Sequence, residues 1–102
     1  MTTLGFSIHP GEILREEYLT PLGLTPYTLA KHLAVPRTRI ERLVKELTPV
    51  TTDTALRLGK FFGTSPEFWM NMQASHDLAK EARAKKKEIA AIRSYADSRL
   101  AA

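Results

Sequence analysis

The sequence predicts an all-α protein. Three observations carry this. Apolar residues recur at every third or fourth position through most of the chain, proline or a hydroxyl residue stands ahead of each such run, and no alternating segment is long enough for a strand. Residues 67–102 contain neither glycine nor proline, so helix is expected to continue unbroken to the end.

The elements follow in order. Pro10 suits a first helical turn, Glu12 complements the macrodipole there, and Ile13, Leu14, Tyr18 and Leu22 follow at helical spacing, with Gly23 as the stop. Thr25 is the expected N-cap of a second helix with Pro26 at its first position and Leu29, Ala30 and Leu33 on its inner face. Pro36 opens a third helix, whose inner face is Ile40, Leu43 and Val44. After a connection through Thr48-Pro49-Val50-Thr51, Thr52 is the expected N-cap of a fourth helix, with Asp53 in its first turn and Ala55, Leu58 and Phe62 inward. Gly63 closes it. Ser65-Pro66-Glu67 starts a fifth helix with Phe68, Trp69 and Met72 on one side. Leu78, Ala82, Lys85, Ile89, Ile92 and Ala96 then step at heptad spacing, with one lysine in the seam, and extend that helix.

A chain of 102 residues supports one domain's core and excludes a two-domain enzyme. Its composition, 43% hydrophobic and 25% charged, is that of an ordinary soluble globular protein. Without cysteine there is no disulfide framework, thiolate metal site or cysteine nucleophile. Met1 to His9 lacks a basic residue followed by an apolar run, and no stretch approaches the ~18 apolar residues of a membrane span. A cytoplasmic protein without signal peptide or membrane anchor is expected.

The net charge of +4 is unevenly placed. Residues 36–45 carry Arg37, Arg39, Arg42 and Lys45 against Glu41 alone, and residues 80–93 carry Lys80, Arg83, Lys85, Lys86, Lys87 and Arg93 against Glu81 and Glu88. Basic charge concentrated beside acidic segments points to an anionic partner, most simply nucleic acid.

The two short helices at 25–45, the second of them basic, form a helix-turn-helix pattern. Ala30 is small enough for a close crossing, Val35 plugs the turn, and Ile40 and Leu43 anchor the second helix. Its outward positions include Arg37, Thr38, Arg39 and Arg42, the candidate base readers, since the N-terminal part of such a helix enters the major groove. Lys45 at the far end suits a phosphate, with Thr25, Tyr27, Thr51 and Thr52 as further phosphate candidates. The competing bland reading is a solvated basic face.

The segments HPGEILREEYL, LAKHLAVPRTRI and TTDTALRLGKFFGTSPEFWMNMQ resemble the HigA-type (VapI-related) antitoxins of the XRE helix-turn-helix superfamily, over roughly residues 8–78. The resemblance implies a five-helix repressor-like domain, a homodimer on a palindromic double-stranded operator, autorepression, and a small RelE-like ribonuclease toxin as protein partner. Residues 1–78 are then the DNA-binding domain and 79–102 a basic C-terminal helical extension. The chain departs from the family at Ala34, where glycine is usual in the turn, and at Glu46-Leu47-Thr48-Pro49, where the family tends to show a glycine and basic residues. Two other functions stay open: a solitary XRE-type regulator without toxin, and a protein-interaction module whose degenerate helix-turn-helix no longer binds DNA.

Other groups carry less. His9, His32 and His76 are scattered without metal-ligand spacing, no nucleophile elbow or phosphate-cradling loop exists, and neither cofactor, metal nor enzymatic activity is expected. Phe68, Trp69 and Met72 are either core or a dimer seam. Glu12, Glu16 and Glu17 offer an acidic face for a basic toxin, or merely solubilise the first helix.

Overall fold

The computed structural model describes residues 8–101, in which seven helices and no strand are found. The expectation concerning a leader at Met1 to Ser7 lies outside the described residues. Among them no helix is long and apolar enough to cross a membrane.

Helix α1 spans 10–22. His9 is its N-cap, with Nδ1 accepting from the Gly11 backbone N–H at 2.9 Å and Pro10 following at the first position. The middle of α1, Leu14–Leu19, is π-helical. That wider turn places Leu19 beneath Leu14, both buried, and swings Leu22 outward to 60% exposure, which corrects the expected inner position of Leu22. Gly11 allows α1 to cross the third helix closely, since a Cβ there would stand 1.9 Å from the Leu43 carbonyl oxygen.

Helix α2, Pro26–Leu33, is capped by Thr25, whose hydroxyl accepts from the Thr28 N–H. Helix α3, Arg37–Val44, begins one residue later than expected: Pro36 is extended and serves as N-cap without a side-chain bond, leaving Arg37 as the first helical residue. Both helices end in Schellman-type pairs. Ala34 and Val35 donate to Lys31 and Ala30, and Glu46 and Leu47 donate to Leu43 and Arg42. The geometry puts Ala34 at φ 59° and Glu46 at φ 63°, left-handed conformations that glycine adopts at least cost. Ala34→Gly is therefore expected to raise stability by about 1 kcal/mol, a gain of roughly 4–8 °C in Tm for a domain of this size. Thermal unfolding followed by circular dichroism checks it; an unchanged or lower Tm refutes the strain.

Helix α4, Thr52–Phe62, is capped by Thr51 rather than Thr52. Thr51 is the residue with extended backbone, and its hydroxyl accepts from the Thr54 N–H at 3.3 Å, so Thr52 is already inside the first turn. Helix α5, Pro66–Ala84, is capped by Ser65. The expected unbroken continuation does not hold. Lys85 leaves helical geometry at φ −113°, ψ 24°, short helix α6 covers Lys86–Ala90, and α7 covers Tyr95–Ala101 after a second interruption. Ser94 starts α7 by accepting from the Asp97 N–H. The heptad seam is thereby cut, and Leu78, Ile89, Ile92 and Tyr95 are exposed.

The core comprises Leu14, Leu19, Leu29, Ala30, Leu33, Ile40, Leu43, Val44, Val50, Ala55, Leu58 and Trp69. Among the described residues nothing C-terminal to Trp69 belongs to that apolar set. Buried Gln73 supports it by accepting from the Val50 N–H at 2.7 Å and donating to Asp77. The expected boundary at 78/79 falls inside continuous α5.

His9 adds a pH dependence. Burial first, and neighbouring His76 second, hold its pKa below the ordinary histidine value, against smaller opposing effects of Glu46 and Asp77. The cap also requires an unprotonated Nδ1. A native pKa below the unfolded one means full stability above about pH 6.5 and loss as pH falls through the native value. Tm should fall between pH 7.5 and pH 5, and His9→Asn, a cap that does not titrate, should flatten that fall. An equally steep decline in the variant would contradict this account.

Candidate nucleic-acid interface

The turn between α2 and α3 presents the N-terminal part of α3 to solvent while Ile40, Leu43 and Val44 hold its back against the core. Its exposed front carries two adjacent rows, the residues of each one turn apart. The first is Arg37, Glu41 and Lys45. Arg37 Nε lies 3.3 Å from a Glu41 carboxylate oxygen, and its guanidinium carbon is 5.9 Å from the ring centre of Tyr27. The same ring is 5.6 Å from Lys31 Nζ. Tyr27, half exposed, thus acts as a plate that restricts two cations on the edge of the α2–α3 unit.

The second row is Thr38 and Arg42. Both line a cavity of about 370 Å³ between α3 and the start of α4, which Arg39, Thr48, Thr51, Asp53 and Thr54 complete. The Arg42 guanidinium, the Thr38 and Thr48 hydroxyls and a helix N-terminus can meet a phosphate there, against the Asp53 carboxylate on the same wall. The hydroxyls of Thr25 and Thr51 are engaged as caps, so their helix starts offer backbone N–H groups rather than side chains. Thr52 is exposed in the first turn of α4 and Lys45 is exposed at the end of α3.

Arg39 stands apart from the other expected readers. Its Nη1 lies 2.5 Å from Asp53 Oδ2 and 3.5 Å from Thr54 Oγ1, so the side chain is turned toward α4. The same Asp53 oxygen accepts from Arg57 Nε at 2.9 Å, and Arg57 Nη1 donates to the Leu33 carbonyl at 2.8 Å. The two guanidiniums, Arg39 foremost, hold the Asp53 carboxyl below the usual aspartate range. Asp53 and Arg57 were not among the sequence candidates: their own i, i+4 spacing was visible, but the Arg39–Asp53 pairing, 14 positions apart, shows no local signal.

The aromatic stripe divides. Trp69 is fully buried, packed against Tyr18 and Phe68 with Nε1 donating to Thr64 Oγ1 at 2.8 Å. Of the two expectations for the stripe, core or dimer seam, Trp69 takes the first, since an indole enclosed within its own chain has no surface left for a partner. Met72 is partly buried against the core, and Phe68 keeps 39% exposure. Along α1, Glu17 is exposed, Glu12 is half buried, and Glu16 pairs with Arg15 at 2.9 Å. Arg15 also donates to the Val44 carbonyl and reaches Glu46, tying α1 to the end of α3. Among the described residues no cluster of three or more His, Cys, Asp or Glu could hold a metal ion.

No family model matches the chain. Virulence-associated protein I of Dichelobacter nodosus is 54% identical over 72 residues, 71% of this chain and 67% of that protein. The chain thus spans about two thirds of that curated relative. The solved structure of Pseudomonas aeruginosa antitoxin HigA with higBA promoter superposes at a TM-score of 0.84 with 40% identity, covering 86% of this chain and 97% of that one. An addiction module antidote protein of a HigA family from Coxiella burnetii gives a TM-score of 0.82 with 43% identity, covering 88% and 99%. In both sequence and fold, therefore, the chain belongs to the HigA-type (VapI-related) antitoxins, a family of helix-turn-helix proteins.

Proposed function

We propose that this protein is a DNA-binding antitoxin and autorepressor that acts in the cytoplasm, without enzymatic activity or cofactor. The carrying observation is the exposed front of α3, where Arg37, Thr38 and Arg42 stand beside the cavity at the start of α4. A similar chain has been solved with a promoter, which supports the same use here. Arg37 and Arg42 read base edges in the major groove, Thr38 contributes a hydroxyl and a methyl, and Lys45, Tyr27 and the starts of α2 and α4 meet the backbone. A single α3 covers few base pairs. Two copies related by a two-fold, about 34 Å apart, supply useful specificity. Phe68 and the exposed edge of Met72 remain as seam candidates, while residues 79–102 form a basic extension. Anisotropy titration of a duplex spanning the promoter upstream of its own gene, against a scrambled duplex, tests the reading; equal affinity for both defeats it.

Toxin neutralisation is the second half of the proposal. A ribonuclease binds polyanionic RNA and is usually basic, so the acidic side of α1 suits it through electrostatic steering. Glu17 and Glu12 carry most of this, since Glu16 is offset by Arg15. Replacing Glu12, Glu16 and Glu17 by glutamine should weaken binding of the toxin encoded beside the gene and reduce its salt dependence, with promoter affinity retained. Unchanged toxin affinity would move the contact elsewhere.

A further inference from the structure

We infer that Asp53 is a positioning residue that sets DNA specificity by holding the Arg39 guanidinium in the wall of the α3–α4 cavity, leaving Thr38 and Arg42 to face the bases on that side. This rests on the DNA-binding reading above.

Four groups from three helices form the device. Arg39 of α3 and Arg57 of α4 converge on one oxygen of Asp53, and Arg57 is in turn fixed by the carbonyl of Leu33 at the end of α2. Asp53 therefore does not merely follow Arg39; it is anchored independently of it. The Arg39 and Asp53 side chains remain 40% and 52% exposed. Pairs that exposed contribute little to stability, so the geometry matters for orientation rather than for holding the fold.

The alternative state of Arg39 is a long, unpaired cation next to Thr38, close to Arg42 on the same cavity wall. Such a cation goes to whichever phosphate is nearest, a contact that carries no sequence information. Asp53 prevents this in two ways. It fixes the direction of the guanidinium, and it offsets one of the two positive charges it bridges. The charge it offsets reduces attraction to any duplex, while the fixed direction keeps the remaining contact in register with the operator.

Asp53→Asn is nearly isosteric and keeps the α4 start polar. With promoter and scrambled duplexes of equal length, the variant should bind the scrambled duplex more tightly. Its log affinity should fall with log salt more steeply by about 0.9, one further phosphate's worth. The preference for the promoter should drop by the factor that the scrambled duplex gains, since the promoter complex keeps its base contacts. Because Asp53 acts through Arg39, Arg39→Gln with Asp53→Asn should show the same preference as Arg39→Gln alone. A preference and salt slope identical to the wild type would overturn the inference, as would an equal loss on both duplexes or a marked drop in Tm, either of which marks a merely structural acid. If the wild type itself does not prefer its promoter, the DNA reading fails and this inference falls with it. If the wild type does and Asp53→Asn matches it, only the role of Asp53 falls.

Discussion

Removing the Arg37 and Arg42 side chains together is expected to cost about 2–6 kcal/mol of promoter binding, at least an order of magnitude in affinity, and to relax base preference at the positions they face. Each supplies up to two parallel N–H donors to guanine O6 and N7, and neither is committed to a buried partner. Arg37 lies over Tyr27 and beside Glu41, both exposed arrangements that narrow its range without consuming its donors. Arg42 is exposed at the mouth of the α3–α4 cavity. Binding to a scrambled duplex should fall less than binding to the promoter. Titration at one fixed salt concentration decides the matter, because the phosphate contribution changes with salt for both duplexes alike. Promoter affinity equal to the wild type would show that α3 does not read DNA through these residues.

Trp69→Ala should destabilise the fold by about 3–5 kcal/mol, a large share of the roughly 5–15 kcal/mol that small domains possess. The indole is fully enclosed, its ring touches those of Tyr18 and Phe68, and its N–H is satisfied by the Thr64 hydroxyl. Alanine would leave a cavity where α1, the α4–α5 connection and α5 meet. Urea unfolding should show a lower midpoint, and the loss should not depend on protein concentration. A loss that grows on dilution would instead place Trp69 in a subunit interface, since mass action then links assembly to folding. Trp69→Phe should cost less, because most of the apolar volume is kept.

That contrast also shows what the sequence can and cannot tell. Helical spacing put Phe68, Trp69 and Met72 on one side of α5, but spacing fixes only relative direction. Which of the three lies under the neighbouring helices depends on how α5 rolls against α1 and α4. The caps at Thr25 and Ser65 and the left-handed turn at Ala34 were legible because their causes are local: a hydroxyl ahead of proline, and a turn position that the family fills with glycine. The cap on α4 slipped by one residue because Thr51 and Thr52 are chemically alike and only backbone extension separates them. The π-helical turn of α1 left no signature in residue types, and Leu22, which follows it, lies outside the core. At the candidate interface, the cations of α3 were visible from composition. The acid that redirects Arg39 was not, for it arrives from another helix. Ser94, three residues ahead of Asp97, is a helix-start pattern that was present in the sequence and marks the interruption before α7.

The interruption of helix at Lys85 has a consequence for how the protein is degraded. Three consecutive lysines, Lys85 to Lys87, sit where α5 ends and α6 begins, and every one of them is exposed. Among the described residues no fully buried apolar side chain lies beyond Trp69, and the last to pack partly against the core is Met72. Opening the chain at this place costs almost none of the global folding free energy, so a protease specific for basic residues can engage it without waiting for the domain to unfold. One cut there detaches only the C-terminal part of the basic extension, beyond the lysines, and leaves α1 to α5 intact. Local opening at Lys85 is thus expected to set when that segment is lost, and global unfolding when the α3 surface is lost, two clocks on a single chain.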